Sequence, residues 1–495
     1  MQSLKSLPRL IPGITQYSQK RSLQLLKLSE NDIGSYSSKL RSILGGDEKN
    51  VSVAEAVRTQ HGQDEGPEKG SLPDIVVFPG NTEEVSEVLK LCNKDGIPII
   101  PYGTGTGLEA GISALNGGIC LDLSRMDQIL DYYPEDFNVS VEPAITREHL
   151  NHHIKNDGLW FPVDPGANAS LCGMCATGAS GTNTVRYGTI KDNCVNLEVV
   201  LADGTIIHTS GMHGQRPRKT SAGYDLTHLM IGSEGTLGVI TKATLNLHPQ
   251  PNCVSSAVVG FPSIKQAVDT VVSTLQCGIP IARIELLDEV AVKAVNEYSK
   301  LDQTETPTLF IEFHASSDEA LQEQTLFVSS LAEENGGSDF KWATLQEDRN
   351  KLWTARHKLF WATIGLKPGS RAVSTDVAVP ISRLPEILEL TRQDIIQADL
   401  VGPLLGHVGD GNFHAFLLFD PNNKDEYKRC KEVSHRMGAR ALEMGGTCTG
   451  EHGIGTGKID LLKAQYGPAG IQVMKSIKNA LDPKGILNPG KVLPV

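Results

Sequence analysis

Glycine accounts for 49 of the 495 residues and is bunched at 103–118, 158–188, 402–411 and 445–457. Without a Cβ, glycine enters backbone conformations closed to other residues and lets the chain lie directly against a ligand. Four separate bunches therefore mark four places where this chain turns sharply or approaches something closely. The length requires two or more domains, because single cores stop growing beyond about 250–300 residues.

Between Pro73 and Pro249 the apolar pattern predicts short strands at 75–78, 97–100, 119–123, 139–142, 197–201, 205–208 and 238–247, with helices near 82–92 and 146–156. Thr82, ahead of Glu83 and Glu84, reads as a helix N-cap with acids in the first turn. Strands and helices mix without strict alternation, which is the pattern of an α+β fold. From Ser263 the pattern becomes helix 264–277, strand 281–286, helix 289–298, strand 308–314 and helix 317–335, a second and smaller sandwich. A long helix near 346–361, one after Pro385 and one near 424–444 follow.

The third bunch contains Gly406-His407-Val408-Gly409-Asp410-Gly411-Asn412-Phe413-His414. Asp-Gly is a signal for a two-residue type I′ hairpin turn, and pairing outward from it sets His407 opposite His414. Opposed residues on one sheet face have Cβ atoms roughly 4.5–5.5 Å apart, close enough for two imidazoles to share a divalent ion. The spacing is no established metal motif by itself. Glu451 and His452, in the fourth bunch, offer the acid and third imidazole that would complete such a site.

Composition removes several classes of function. The net charge is −12, and no basic stripe with interleaved aromatics is present, so nucleic acid is not an expected partner. No apolar run approaches the ~18 residues of a membrane helix. The nine cysteines are odd in number and scattered, as free thiols in a reducing compartment would be, and Cys172-Gly-Met-Cys175 is a lone pair without the partner pair a structural zinc needs. The first 29 residues lack Asp and Glu but carry Lys5, Arg9, Lys20, Arg21 and Lys27, the composition of a mitochondrial transit peptide, read here as residues 1–25.

Two phosphate-binding patterns fail on inspection. The GxGxxA run from Gly105 does not open a helix, as a nicotinamide site requires, and Gly453-Ile-Gly-Thr-Gly-Lys458 lacks the first glycine and the Ser or Thr after the lysine. What remains is a glycine and hydroxyl loop at 103–107 and a second from Gly173 to Gly188, with Thr177, Ser180, Thr182 and Asn183 as donors. Two such loops can surround a pyrophosphate with backbone N–H groups.

The stretches Pro101-Tyr-Gly-Thr-Gly-Thr-Gly107, Val163-Asp-Pro-Gly166, Ala176-Thr-Gly-Ala-Ser-Gly-Thr-Asn183, Arg186-Tyr-Gly188, Gly232-Ser-Glu-Gly-Thr-Leu-Gly238 and Leu481-Asp-Pro-Lys-Gly-Ile-Leu-Asn-Pro-Gly490 resemble the FAD-binding family of vanillyl-alcohol oxidase and p-cresol methylhydroxylase type. Within it they are most similar to the mitochondrial, cytochrome-linked D-2-hydroxyacid dehydrogenases that act on D-lactate. The resemblance implies an α+β, two-domain fold, with two subdomains holding FAD at 45–250, a ferredoxin-like antiparallel-sheet substrate cap at 251–445 and a segment at 446–495 returning to the flavin.

It further implies that Gly103, Thr104, Gly105, Thr106, Gly107 and Leu108, together with Asp164, Pro165, Gly166, Gly173, Thr177, Gly178, Ser180, Gly181, Thr182, Asn183, Arg186, Tyr187 and Gly188, wrap the FAD pyrophosphate. Glu234, Gly238 and Ile240 would line the adenine and isoalloxazine side, with Asn488 joining from the C-terminal segment. The first loop lacks the His or Cys that attaches FAD covalently in some members, so non-covalent FAD is expected. By the same resemblance His407, His414 and Glu451 hold a divalent metal, Mn or Zn. His452 is then the base, and Arg356 grips the substrate carboxylate, for which a planar guanidinium is suited. Electrons would pass to cytochrome c or a flavoprotein carrier, with peripheral association with the inner membrane left open. The alternatives are a D-2-hydroxyglutarate dehydrogenase, which places a lysine where this chain has Ser374, and a metal- and flavin-binding scaffold without catalysis.

Overall fold

The computed structural model describes residues 25, 27–212 and 214–494, so the expected leader at 1–25 lies, but for Leu25, outside the described residues. The first sheet contains Val51–Ser52 (β1), Ile75–Val77 (β2), Ile99–Tyr102 (β3) and Ile119–Asp122 (β4) in the order β1-β2-β4-β3. β4 runs parallel to both β2 and β3. Parallel strands are buried on both faces and read as continuous apolar runs, as Ile75-Val-Val77 and Ile119-Cys-Leu121 do. Helix Thr82–Asp95 makes the crossover between β2 and β3, and its N-cap is Asn81 rather than the expected Thr82, because the Asn81 side chain accepts from Glu84 N at 2.9 Å.

The second sheet orders Ile129–Tyr133 (β5), Asn138–Val141 (β6), Cys194–Val200 (β8), Ile206–His208 (β9) and Val239–Asn246 (β10) as β5-β6-β10-β8-β9, while Leu159–Trp160 (β7) pairs with His248–Pro249 (β11). The chain then enters an antiparallel sheet of Cys253–Gly260 (β12), Ile281–Leu287 (β13), Thr308–Ala315 (β14), Ser338–Ala343 (β15), Arg371–Ser374 (β16), Leu404–His407 (β18) and Asn412–Phe419 (β19), with Val377–Ala378 (β17) beside β19. Its first half, β15-β12-β14-β13, has the strand order of a ferredoxin-like unit. This corrects the expectation of a smaller second sandwich, since β16 to β19 extend the sheet to eight strands. The helix expected at 346–361 is divided at Lys358 into Gln346–His357 and Leu359–Leu366.

The C-terminal stretch returns to the first sheet. Ile99 N donates to Ile486 O and Asn488 N donates to Ile99 O, both at 2.8 Å, so Leu487 runs as an extra partner beside β3. The order of the segments in space thus differs from their order in the sequence, and the last residues lie against the first glycine loop.

Candidate active site

The histidine hairpin forms, with a different turn. His407 pairs with Asn412 and Leu405 with His414, so the predicted two-residue turn and direct His407–His414 pairing are corrected. Asp410 N donates to His407 O at 3.1 Å, and Gly411 takes φ +88°, which makes a four-residue loop. A Cβ on Gly411 would collide with the Val379 carbonyl, so the tight approach of β17 selects the glycine there. Side chains alternate between faces with a period of two residues, so the altered pairing keeps both histidines on one face, now as diagonal neighbours. Their ring centroids are 5.4 Å apart.

Both imidazoles are held from behind. His407 Nδ1 lies 2.7 Å from Glu285 Oε1, and His414 Nδ1 donates to Thr375 O at 2.9 Å. Each Nε2 therefore points inward, 3.5 and 3.4 Å from Glu451 Oε1. The three ligand atoms lie within 4.8 Å of one another. Two nitrogen donors and one carboxylate, each oriented by a further partner, fit a divalent cation such as Zn or Mn. Burial pushes the Glu451 carboxyl up, but its hydrogen bonds and charge contacts with His407 and His414 outweigh that and hold it well below the ordinary carboxylate range. For His407 burial works downward, and Glu285 and Glu451 together hold it well above the ordinary imidazole value.

His452 stacks on His414, centroids 5.1 Å apart and planes 14° from parallel. Its Nδ1 is buried with no hydrogen-bond partner among the described residues. Burial, aided by the neighbouring His414 and Lys458, lowers its pKa to about 4 against the pull of Asp376 and Glu451, leaving a neutral ring at pH 7.

These groups form part of the wall of a cavity of about 520 Å³. The same wall includes Gly103, Gly105, Thr106, Gly107 and Leu108 of the first loop, Asp164, Pro165 and Gly166, then Gly173, Thr177 and Thr182, and finally Glu234, Gly238, Ile240 and Asn488. Arg356 and Ser374 complete it on the cap side. Glu234, in the left-handed region at φ +51°, accepts Ile454 N at 2.6 Å and Gly455 N at 2.8 Å, while Asn488 Nδ2 donates to its carbonyl at 2.7 Å. It thereby fastens the loop after His452 to the turn that leads into β10.

Several expected flavin contacts stand off the cavity wall. Thr104 pairs with Thr106 at 3.1 Å, Ser180 Oγ donates to Glu451 Oε2 at 2.7 Å, and Gly181 N donates to Thr184 Oγ1 at 3.0 Å. Gly178 ends helix Leu171–Thr177 at φ +76°. Asn183 accepts Arg283 Nε at 2.8 Å, Arg186 donates to Pro280 O and His314 O, and Tyr187 reaches His314 Nδ1 at 2.7 Å, so these three join the flavin side to the cap, and Gly188 ends their short helix. The segment 183–188 is a strap between units.

Sequence reasoning missed Glu285 and Asp376. Glu285 Oε2 accepts both Nε and Nη2 of Arg356, at 3.0 and 2.6 Å, while its other oxygen faces His407. The available signal was a lone carboxylate inside the apolar strand Ile281-Ala-Arg-Ile-Glu-Leu-Leu287, where an unpaired charge would be costly. Asp376 lies two residues beyond Ser374 and is buried.

The backbone resembles that of two solved enzymes. It superposes on 4-ethylphenol oxidase from Gulosibacter chungangensis with a TM-score of 0.78 over 94% of this chain and 98% of that one, at 18% identity, and on p-cresol methylhydroxylase with a TM-score of 0.77 over 94% and 97%, at 19% identity. At that identity the likeness shows the fold alone. Residues 73–210 match the FAD binding domain family and residues 250–492 the C-terminal domain of FAD linked oxidases. A Danio rerio protein named probable D-lactate dehydrogenase, mitochondrial, is 56% identical over 92% of this chain and 91% of its own length. An Arabidopsis thaliana protein named D-lactate dehydrogenase [cytochrome], mitochondrial, is 43% identical over 92% and 80%. The chain belongs to the FAD-linked oxidase family.

Proposed function

We propose that this chain oxidises D-lactate and related small D-2-hydroxy acids to 2-oxo acids in the mitochondrion, using non-covalent FAD and a divalent cation. The observation that carries the reading is the convergence of His407, His414, Glu451, His452 and Arg356 on the cavity that the flavin-family loops also line. Residues 45–250 would hold the flavin, 251–445 the cap, and 446–495 the returning loop. FAD, when bound, supplies the hydride acceptor. A cation held by His407, His414 and Glu451 supplies Lewis acidity toward the substrate hydroxyl.

The protein's own groups do the rest. The Nε–Nη2 edge of Arg356 is engaged by Glu285, which turns the terminal nitrogens toward a substrate carboxylate. Neutral His452, stacked on His414 at the cavity wall, takes the hydroxyl proton on its ring. Arg356 and the cation site together fix two of the four substituents on the reacting carbon, which selects one enantiomer. Cytochrome c or a flavoprotein carrier would reoxidise the flavin; the word cytochrome in the names of relatives supports a cytochrome-type acceptor. Among the described residues no helix is long and apolar enough to cross a membrane.

Anaerobic mixing with a panel of D- and L-2-hydroxy acids tests the proposal. D-lactate is expected to bleach the flavin absorbance and L-lactate to leave it unchanged; no bleaching with any D-acid removes the dehydrogenase reading and leaves the scaffold.

The flavin itself should leave in the supernatant when the protein is precipitated with acid or heat. The loop at 103–107 offers no attachment residue, and burial, with Cys175 beside it, raises the Cys172 thiol on the cavity wall far above its usual range, so it is not a reactive thiolate. Flavin absorbance that stays in the pellet contradicts the non-covalent assignment.

Ser374 decides between lactate and a diacid. The described cavity wall has no lysine, and a second buried carboxylate without a partner costs several kcal/mol. Ser374→Lys is expected to shift the ratio of kcat/KM toward D-2-hydroxyglutarate by roughly tenfold or more, ~1.4 kcal/mol per decade. A wild-type preference for the diacid would refute the lactate reading.

A further inference from the structure

The two halves of the site arrive from distant parts of the chain, the histidines on β18 and β19 and the Glu451-His452 pair on a glycine-rich loop. One dipeptide, Thr375-Asp376, touches both. Thr375 O accepts His414 Nδ1 at 2.9 Å, and Thr375 Oγ1 accepts Ala415 N at 2.7 Å, which fixes the histidine strand. On the next residue, Asp376 Oδ2 accepts four donors from four consecutive residues: Thr449 Oγ1 at 2.6 Å, Gly450 N at 2.8 Å, and Glu451 N and His452 N, each at 2.9 Å. Its Oδ1 accepts Asn412 Nδ2, the residue paired with His407, at 2.7 Å.

We infer that Asp376 is a positioning residue that sets where Glu451 and His452 stand relative to the histidine strand, an inference that rests on the proposed roles of those two residues. Three successive backbone N–H groups converging on one oxygen form a concave nest around an anion, and a loop wrapped in that way has little freedom to swing. Without the carboxylate, the same N–H groups would be buried with no acceptor, which is costly, so the loop would rearrange instead. Glu451 Oε1 could then no longer sit 3.4–3.5 Å from both imidazoles, and the stacking of His452 on His414 would be lost. Lys458 Nζ balances the buried charge, donating to Asp376 O at 3.0 Å and lying 3.1 Å from Glu109 Oε1. The ammonium also lies 3.6 Å from Asp376 Oδ2, so its charge offsets that of the oxygen the four loop donors share.

Asp376→Asn tests this with almost no change in shape. Both carboxylate oxygens are acceptors here, whereas an amide has one; whichever way it turns, either Asn412 or the four loop donors face an NH2 group. In the FAD-loaded full chain the variant is expected to bind Mn²⁺ roughly 10–100-fold more weakly. Its flavin should be reduced by D-lactate at least about tenfold more slowly. FAD content should match wild type, and the melting temperature should fall by no more than several degrees, so that the variant is folded under assay conditions. Thr449→Val removes one of the four donors and should shift both readouts the same way by a smaller factor, which keeps the test open should the first variant fold poorly. An Asn variant within twofold of wild type in both readouts overturns the inference. So does an Asn variant that sheds FAD while Thr449→Val is silent, since the role would then be general support. Should wild type take up no Mn²⁺, the cation in the proposed function falls, and the flavin-reduction rates of the variants alone decide the role of Asp376.

Discussion

Replacing His414 with alanine removes most of the bound divalent cation and slows turnover by on the order of 100-fold or more, while FAD stays in place. The size follows from the Lewis-acid contribution, several kcal/mol at ~1.4 kcal/mol per decade. The variant loses one of two nitrogen donors and leaves Glu451 facing His407 alone. Thr375 O also loses its donor, so a water would have to take the vacated position. The flavin side is spared because the loops at 103–108 and 164–182 make no hydrogen bond to His414. Elemental analysis beside a flavin spectrum checks both halves, and a variant with full metal content removes His414 from the ligand set.

His452→Gln is expected to cut the rate of flavin reduction by roughly 10²–10⁴-fold, the usual worth of a positioned base, with metal and flavin content unchanged. The wild-type pH profile provides a second check. A base works only while unprotonated, and the neutral form persists above a pKa of about 4, which burial sets. The acid limb of the reduction rate should therefore lie well below the ordinary imidazole value of ~6.5. A limb at 6.5, or a Gln variant of undiminished rate, would assign the base elsewhere.

The legible parts of the sequence were those in which local chemistry dictates the outcome. Strands β2, β3 and β4 of the first sheet could be seen because parallel strands are apolar throughout, and the histidine hairpin because glycines and alternation bracket it, while the two-residue antiparallel β1 went unread. The turn was misjudged by two residues of register: Asp-Gly fixes that the chain reverses, but the approach of Val379, just past β17, to Gly411 fixes where. Strands β12 and β15 escaped notice because neighbours, and not their own composition, complete them. The same limit applied to the site. His407, His414 and Glu451 announce themselves by residue type and Arg356 through the family resemblance, whereas Glu285 and Asp376 become meaningful only when folding brings their partners to them.

The return of the C-terminal stretch to β3 couples parts of the site that lie far apart in the chain. Asn488 donates to the carbonyls of Glu234 and Gly111, and Ile486 and Asn488 bracket Ile99, so the cavity takes part of its wall from a segment distant in sequence from the loops it closes. Loosening the 486–488 stretch would release Gly111 and Glu234 at once, and with Glu234 the loop that carries His452, so one short segment keeps two walls of the site in step.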